Sequence, residues 1–579
     1  MIKKFIKNCM IILIAVAILI SSSIISLGAN NVPETVKVGL YFKDSSVNTA
    51  QSIFDVSAKA GVQIGFFEND QFIDILNKPV PSAVFVRKDT YYYDSGNGMK
   101  EYDPSASKPS GTLYGPYHVK IGNDLSDAKS AAIQVESYRN AGIQAYVAYT
   151  GTWQIWAGSY ESEAGAKSDI SIFQSSLGDA GFGVIAPEPG RIIASDSKQN
   201  ILCIFAGSSG FFRIKPAPGN DPNVINIKGE PYRGAVEVKR LSGSDMTVIN
   251  VVTIKEYLYG NVPPEIGGKS PAEALKAQAI ASKMYAINNM GKHGKTGFDI
   301  CATTSCQVYK GYKVEIPTCN QAIDEVHDKI ITYGGSPAKH IYYFASGGGS
   351  TENVNNVWGS DYPYLVSVED KYEKIFNWTK TLSASDVKSK LPQLGNVLGI
   401  SIVRTAKTGR VTQLAITGAS RGEPAYYTNE KCRTLFGLNS QLYTITTDAD
   451  VFTAGLSPSD LTVASVSSET SDKADSAVTD TAQSQTPVIT NPSKTLLGGK
   501  KVITSSGVKT LNGSSKKITI IGADGNVKKT PLIPETYTFT GKGWGHAVGM
   551  SQEGAIGMGK AGLTYDKILT HYFQGTKVE

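Results

Sequence analysis

The chain reads as an α+β multidomain protein: a small βαββαβ module, then a larger mixed α+β region carrying a disordered and β-rich insertion. Three observations predict this. Its 579 residues exceed what one hydrophobic core organises. From Leu113 to Ala186 strand and helix patterns alternate in βαββαβ order. From Thr453 to Ser493 there is no aromatic residue, and Ser, Thr, Ala and Asp dominate, a composition that cannot bury enough apolar surface to fold alone.

Residues 1–29 combine a basic start, an apolar run from Met10 to Leu27, and small residues at Gly28 and Ala29. This is a signal peptide or an uncleaved signal anchor, and export follows from either. Residues 30–110 read as short strands, VKVGLYF at Val36–Phe42 among them. The module spans 111–187. Tyr117–Ile121 is its first strand, Asp124–Ala141 a helix, Ile143–Tyr149 a strand, and Thr152–Tyr160 alternates as a half-buried strand should. Ser162–Leu177 is the second helix, and FGVIA closes the unit. A β-rich connector, 188–224, leads to the larger domain, 225–579. That domain is interrupted at 450–533, where the low-complexity stretch 453–493 precedes a β-rich insert with turns at Asn512-Gly513 and Asp524-Gly525.

Charge excludes one function class. The formal net charge is +6, and Lys3, Lys4 and Lys7 of the leader have no acid beside them, so 6 less 3 leaves +3. With no dense basic run, nucleic acid is not expected as a partner. Outside the leader, which holds Cys9, five cysteines remain, an odd and sparse set that is no disulfide framework.

Three constellations carry chemistry. Glu265 sits between Pro263-Pro264 and Gly267-Gly268, just before a helix expected to start with an S-x-x-E capping box at Ser270 and Glu273, with Pro271 at its first position. One well-placed carboxyl is what glycosidic cleavage needs as a general acid, and burial can raise its pKa for that task. Most loop glutamates are simply solvated. Glu256 and Glu273 are weaker candidates, one at an element edge and the other occupied with capping. In FDICATTSCQVYKGY, Cys301 and Cys306 lie four residues apart and His293 eight before the first. These residues could hold a structural Zn²⁺ with His327, His340 or water as fourth ligand; a local disulfide and two reduced thiols are the rival readings. The Gly541–Ala555 segment, GKGWGHAVGMSQEGA, carries His546, Ser551 and Gln552 in a glycine-rich loop. It is neither a P-loop, for no Lys-Ser/Thr follows, nor a nucleophile elbow, for Glu553 stands where the last Gly belongs.

The strings Asn261–Ala286 and Gly541–Ala555 closely resemble the two signature blocks of the SpoIID/LytB family of peptidoglycan lytic transglycosylases. The resemblance starts near Ile225 and runs to the closing Gly575-Thr576, departing at Ala547, commonly Gly, and Glu553, commonly aromatic. It implies Glu265 as acid and then base, with His546, Ser551, Gln552, Gln307 and Tyr309 supporting the sugar. Ser346 and Trp358, in a glycine-rich block, are further candidate contacts, though a lone Trp is more often core. The module, with Gly158, Tyr160 and Glu161 at a strand–helix junction, resembles a SPOR domain, a ferredoxin/RNP-like fold that binds glycan stripped of stem peptides. Together these imply an exported enzyme acting on glycan strands at the cell wall, free or anchored by residues 10–27, with an amidase as functional partner and no required cofactor. A non-catalytic amidase enhancer is the alternative.

Overall fold

The computed structural model describes residues 33–449 (except 69–70, 97, 179, 208–210 and 241–243) and 533–579; between 450 and 532 it describes only seven strands. The leader, with its apolar run, lies outside the described residues. Among those described, no helix is long and apolar enough to cross a membrane. Two compact units emerge: residues up to 331 with 335–340, and 332–334 with 341–579.

The first unit contains two large sheets. The seven-stranded one runs, edge to edge, Ile300–Cys301, Thr35–Tyr41, Met246–Thr253, Ala235–Arg240, Phe212–Pro216, Val62–Glu68 and Gln71–Asp74. Seven of the eight residues of Met246–Thr253 are buried, as a central strand covered on both faces requires.

The ten-stranded sheet contains the βαββαβ module, whose elements fall close to their expected places. Helix Ala128–Asn140 is capped by the Asp127 carboxylate, and helix Glu163–Leu177 by the Ser162 hydroxyl. The module's strands run Phe182–Ile185, Tyr117–Leu125, Trp153–Tyr160, Ala145–Tyr149, the order 4-1-3-2. Two features go beyond the sequence expectation. The module is not closed at its edge, because Ala145–Tyr149 pairs in parallel with Ile201–Phe205 and the sheet continues through six further strands. Its helix-free face is also buried at the centre. Val147 shares a cavity lining with residues 132–139 of the first helix, so the alternating Tyr146 and Ala148 face the other way. On that side Tyr146, Trp156 and His118 are buried, and His118 Nε2 lies 3.2 Å from the Asp89 carboxylate.

The second unit is built on two three-stranded antiparallel sheets. One is Asn377–Ser383, Thr536–Lys542, Tyr443–Thr447; the other is Val397–Thr405, Val411–Gly418, Ala425–Thr428. A cluster including Trp378, Leu414, Phe436, Tyr443, Tyr537 and Phe539 forms its core. The insertion departs from one end of an antiparallel pair, with Thr447 opposite Tyr537, and the Asp448 carboxylate accepts from the Glu535 and Thr536 N–H groups at 3.0 and 3.1 Å. Within it, strands Lys517–Ile521 and Val527–Pro531 pair antiparallel, and the expected Asp524-Gly525 turn between them lies outside the described residues. Asn512-Gly513 and most of the low-complexity stretch lie outside the described residues.

Candidate active site

In the first unit, strand Met246–Thr253 feeds helix Ile254–Val262, which passes through a π-helical turn, Pro263–Gly267, into helix Ala272–Asn288. The capping box is one element earlier than expected. Thr253 and Glu256 form it reciprocally, which occupies Glu256. The Ala272 helix has no side-chain cap: Ser270 Oγ turns back to Ile266 O at 2.9 Å, and Glu273 pairs with Lys276. The break is set by Gly267, at φ 85°, which aims Ser270 at the preceding turn.

Glu265 occupies the π-turn, half-buried. Its Oε1 accepts from the Val308 N–H at 2.7 Å, while Asn261 Nδ2, four residues earlier, donates to Val308 O at 2.9 Å. Both backbone groups of one residue, Val308, are thus gripped by one helical segment, an arrangement that sets the carboxylate's direction. Gly260 permits the approach, since a Cβ there would lie 2.9 Å from Gly311 O and 2.7 Å from the Tyr309 ring.

Gln307 and Tyr309 are brought to Glu265's loop but not as the exposed sugar contacts expected. Both are buried. Gln307 Oε1 accepts from Tyr257 OH at 3.0 Å, and its Nε2 donates to Ser282 O at 3.2 Å. Tyr309 OH donates to Asn250 Oδ1 at 2.7 Å, its ring stacked on Tyr257 at 5.0 Å. They hold the wall behind the carboxylate. Sequence could not reveal this, because their partners lie up to 59 residues away.

The same loop begins with the cysteines. His293, Cys301 and Cys306 place their ligand atoms within 4.8 Å of one another, Cys306 Sγ 3.4 Å from His293 Nε2, and neither cysteine is in a disulfide. Hydrogen bonding between the thiols pulls Cys301's pKa down and pushes that of Cys306 up. Among the described residues no fourth His, Cys, Asp or Glu joins this group, so His327 and His340 are not ligands here. His327 Nδ1 instead lies 2.8 Å from Asp324 O.

In the second unit, strands Tyr343–Phe344 and Met550–Ser551 pair in parallel and hold the second block. His546 sits among Trp358, Phe344 and Tyr342, with ring centroids at 4.9, 5.6 and 6.2 Å. Its Nδ1 accepts from the Val548 N–H at 3.1 Å, and the ring also hydrogen-bonds the Tyr343 backbone. These contacts fasten the loop and leave the ring half-buried. Trp358 belongs to the same box and donates to Glu430 Oε2 at 2.7 Å. Ser551, fully buried, caps helix Gln552–Lys560 and donates to Glu373 Oε2 at 3.3 Å; Gln552, the first residue of that helix, is largely buried too. Ser346 is buried, and its backbone pairs with that of Trp544. Of these five candidate side chains Ser346, Ser551 and Gln552 are buried, while His546 and Trp358 are half-buried.

Ala547 adopts φ 65°. A left-handed alanine costs roughly 1–2 kcal/mol against the right-handed region, about what its buried methyl and lower unfolded-state entropy recover relative to glycine. The departure from the usual glycine is therefore tolerable.

Burial lowers the pKa of His546 from 6.5 to about 4. The unfolded chain takes up a proton near pH 6.5 that the folded chain refuses until about pH 4, so stability is lost as pH falls through that window. At pH 5 the loss relative to pH 7 should be about 2 kcal/mol. Urea unfolding of the native chain and of His546→Phe at both pH values tests it; equal losses in the two proteins would refute the assignment.

Two further residues had no sequence signal. Glu373 accepts from the Gly347 N–H at 2.7 Å and from the Gly349 N–H, and burial raises its pKa. Arg410, fully buried, reaches into the same glycine-rich turn.

Comparison with known proteins places this geometry. Residues 242–333, which contain the π-turn, match the family model described as stage II sporulation protein, SpoIID. The amidase enhancer of Bacillus subtilis is 29% identical over 389 residues, 63% of this chain and 46% of the relative. A protein of Brachyspira hyodysenteriae is 33% identical over 178 residues, 30% of this chain and 48% of the relative. Stage II sporulation protein D of B. subtilis is 25% identical over 347 residues, 56% of this chain and 74% of the relative. The chain therefore spans about half the length of the first two relatives. Residues 242–333 are thus similar to the SpoIID family.

Proposed function

We propose that this chain is an exported peptidoglycan lytic transglycosylase that cleaves the MurNAc–GlcNAc bond during cell-wall remodelling. The observation that carries the reading is Glu265: a half-buried carboxyl, aimed by the Val308 peptide, inside the segment that matches the family. Its proton goes to the leaving glycosidic oxygen as the C1–O bond breaks. The sugar's own C6 hydroxyl then closes on C1 and returns a proton to Glu265, leaving a 1,6-anhydro ring. One carboxyl serves both steps, so no nucleophilic partner is needed, unlike the usual hydrolase pair.

The test is product chemistry. The full chain and its Glu265→Gln variant are incubated with peptidoglycan, with and without amidase pretreatment, and the products weighed by mass spectrometry. Anhydro-muropeptides from the native chain alone support the reading; reducing-end products would make it a hydrolase. Tight glycan binding without cleavage, unchanged by the substitution, would favour a second reading. That reading is a non-catalytic enhancer of an amidase, motivated by the name of the B. subtilis relative. Both readings give the chain an amidase as partner and an extracytoplasmic site of action. In either, the βαββαβ module supplies glycan anchoring only through surface outside the buried centre of its helix-free face.

The donors His293, Cys301 and Cys306 fit a structural zinc, for two thiols and an imidazole 3.4–4.8 Å apart suit a tetrahedral ion completed by water. Its chemical contribution is to tie residues 301–306 to 293 and so steady the loop carrying Val308. Purified chain should hold one zinc, and Cys306→Ser should lose it and about 3–4 kcal/mol of stability at zinc 100- to 1,000-fold above Kd. Metal analysis and unfolding with and without chelator decide; no zinc, or a Cys301–Cys306 disulfide by peptide mapping, would end the proposal.

A further inference from the structure

The helix-free face of the ten-stranded sheet buries more positive charge than negative. Arg87 is 1% exposed and Arg191 not at all. Strand Val84–Lys88 pairs antiparallel with Ile192–Ser195, Arg87 opposite Ile193, and the Asp89 N–H donates to Arg191 O at 3.1 Å. Arg87 and Asp89 are two residues apart, so they share a face with Arg191, and Ile193 sets that face against Tyr146 and Trp156. Asp89, the buried acid of this group, is already claimed: Arg191 Nε lies 3.1 Å and His118 Nε2 3.2 Å from its carboxylate. Glu101 and Asp245 pair instead with Lys88, at 2.9 and 2.6 Å.

Arg87 is the cation left over. Among the described residues its one hydrogen bond runs from Nη1 to Lys88 O at 3.3 Å, while Nε and Nη2, both buried, have no acceptor. Arg191 Nη1 is likewise buried without an acceptor, its Nη2 being turned to Pro116 O and Ala186 O. The Tyr92 and Tyr114 rings lie 5.2 and 5.9 Å from the Arg87 guanidinium carbon, and the Trp156 ring 5.5 Å from that of Arg191. Aromatic faces ease the burial of a cation, but they bring no full negative charge and leave its in-plane N–H groups unmet. Burial accordingly draws the Arg87 pKa below its ordinary value.

We propose that Arg87 and Arg191 hold a small inorganic monoanion, of the size and charge of chloride, on their unpaired N–H groups. The two are diagonal neighbours across the strand pair, within reach of one ion for side chains of this length. A water would supply an acceptor; an anion supplies the acceptor and the missing charge as well. Enclosure of both guanidiniums limits the ligand to halide size and excludes a polyanion or an organic acid with a chain behind its carboxylate. Arg87 comes from the N-terminal region, Arg191 from the connector, and His118, on the other side of Asp89, from the module's first strand. The ion therefore pins three stretches of the chain together at one buried point. It is a structural ligand, and the inference stands whether or not the chain acts on peptidoglycan.

Two measurements on the full chain decide it. Crystals soaked in bromide are measured at the bromine absorption edge, and an anomalous peak is expected within hydrogen-bond reach of both Arg87 and Arg191. Urea unfolding is followed as chloride replaces gluconate at constant ionic strength. Above the dissociation constant, each tenfold rise in chloride should raise the folding equilibrium constant about tenfold. Arg87→Met, which removes the unpaired charge and keeps an apolar stem, should abolish both the peak and the dependence, whereas Lys198→Met, at an exposed cation, should keep them. Should Arg87→Met fail to fold, Arg87→Lys keeps the charge with fewer donors and is expected to hold chloride about tenfold more weakly. A water where the bromide is expected overturns the site. So does a chloride response that neither Arg87 variant alters. A bromide peak with no chloride dependence of unfolding marks an adventitious ion only, and overturns it too.

Discussion

Glu265→Gln should lower kcat for glycan cleavage by about 10²–10⁴-fold, the usual worth of a positioned general acid. The amide is nearly isosteric and keeps an oxygen for the Val308 N–H, so the turn and the Asn261–Val308 contact survive. What it loses is the proton to give and the lone pair that takes one back. KM should therefore hardly change, since binding depends on surfaces the substitution leaves alone. Glu265→Ala would be a poorer test, because it also releases the Val308 peptide and mixes geometry with chemistry. Single-turnover rates on amidase-treated glycan check the expectation; a loss below about fivefold would remove Glu265 from the reaction.

Arg410→Met should destabilise the second unit by about 3–5 kcal/mol, the cost of leaving a buried charge without its partner. The guanidinium is buried and lies among oxygens: Ser350 O at 2.6 Å, Ser350 Oγ at 3.3 Å, Thr351 O at 3.4 Å, Gly347 O and, at 3.8 Å, Glu352. Removing it strands the Gly347 and Ser350 carbonyl oxygens, while Thr351 O keeps the Ser367 hydroxyl at 2.8 Å, and leaves Glu352, itself buried, without its guanidinium. Lys would not replace it, since a point charge cannot reach both sides of the turn as a planar fork does. The turn also supplies the Gly347 and Gly349 N–H groups to Glu373, so the 370–377 strap that carries Glu373 should loosen with it. Urea unfolding and proteolysis of the 370–377 strap report the two effects; a change under 1 kcal/mol would show that the fork carries no net weight.

The legible parts of this fold were those written locally. Ser162 announces the second module helix because a cap lies within three residues of what it caps, whereas the first, expected from Asp124, begins at Ala128 behind the Asp127 cap. Pro263-Pro264 and Gly267-Gly268 likewise mark Glu265's segment as special, though the π-turn itself leaves no compositional trace. The capping box was misplaced because Ser270 and Glu273 have the right spacing, yet the backbone between Gly267 and Pro271 points the hydroxyl the wrong way. What stayed hidden was assembled across distance. Glu373 is named by glycines 24 and 26 residues before it, and Arg410 by carbonyls about 60 before it. The His546 box draws on residues 342, 344 and 358, so nothing within the glycine-rich block distinguishes a ligand contact from a loop fastener.

The continuous ten-stranded sheet bears on which segments can be moved between genes. Cut out at 111–187, the module would carry Ala145–Tyr149 as a bare edge, all five residues buried in the whole chain and now without the Ile201–Phe205 strand they pair with. Such an edge recruits any strand it meets. It is not an exchangeable cassette. The insertion between Asp448 and Glu535 is one: its two ends are already tied by a hydrogen bond of 3.0 Å, and each doubling of a loop's length costs only about 0.6 kcal/mol. Length there can drift by duplication or loss while the sheet beneath it stays closed.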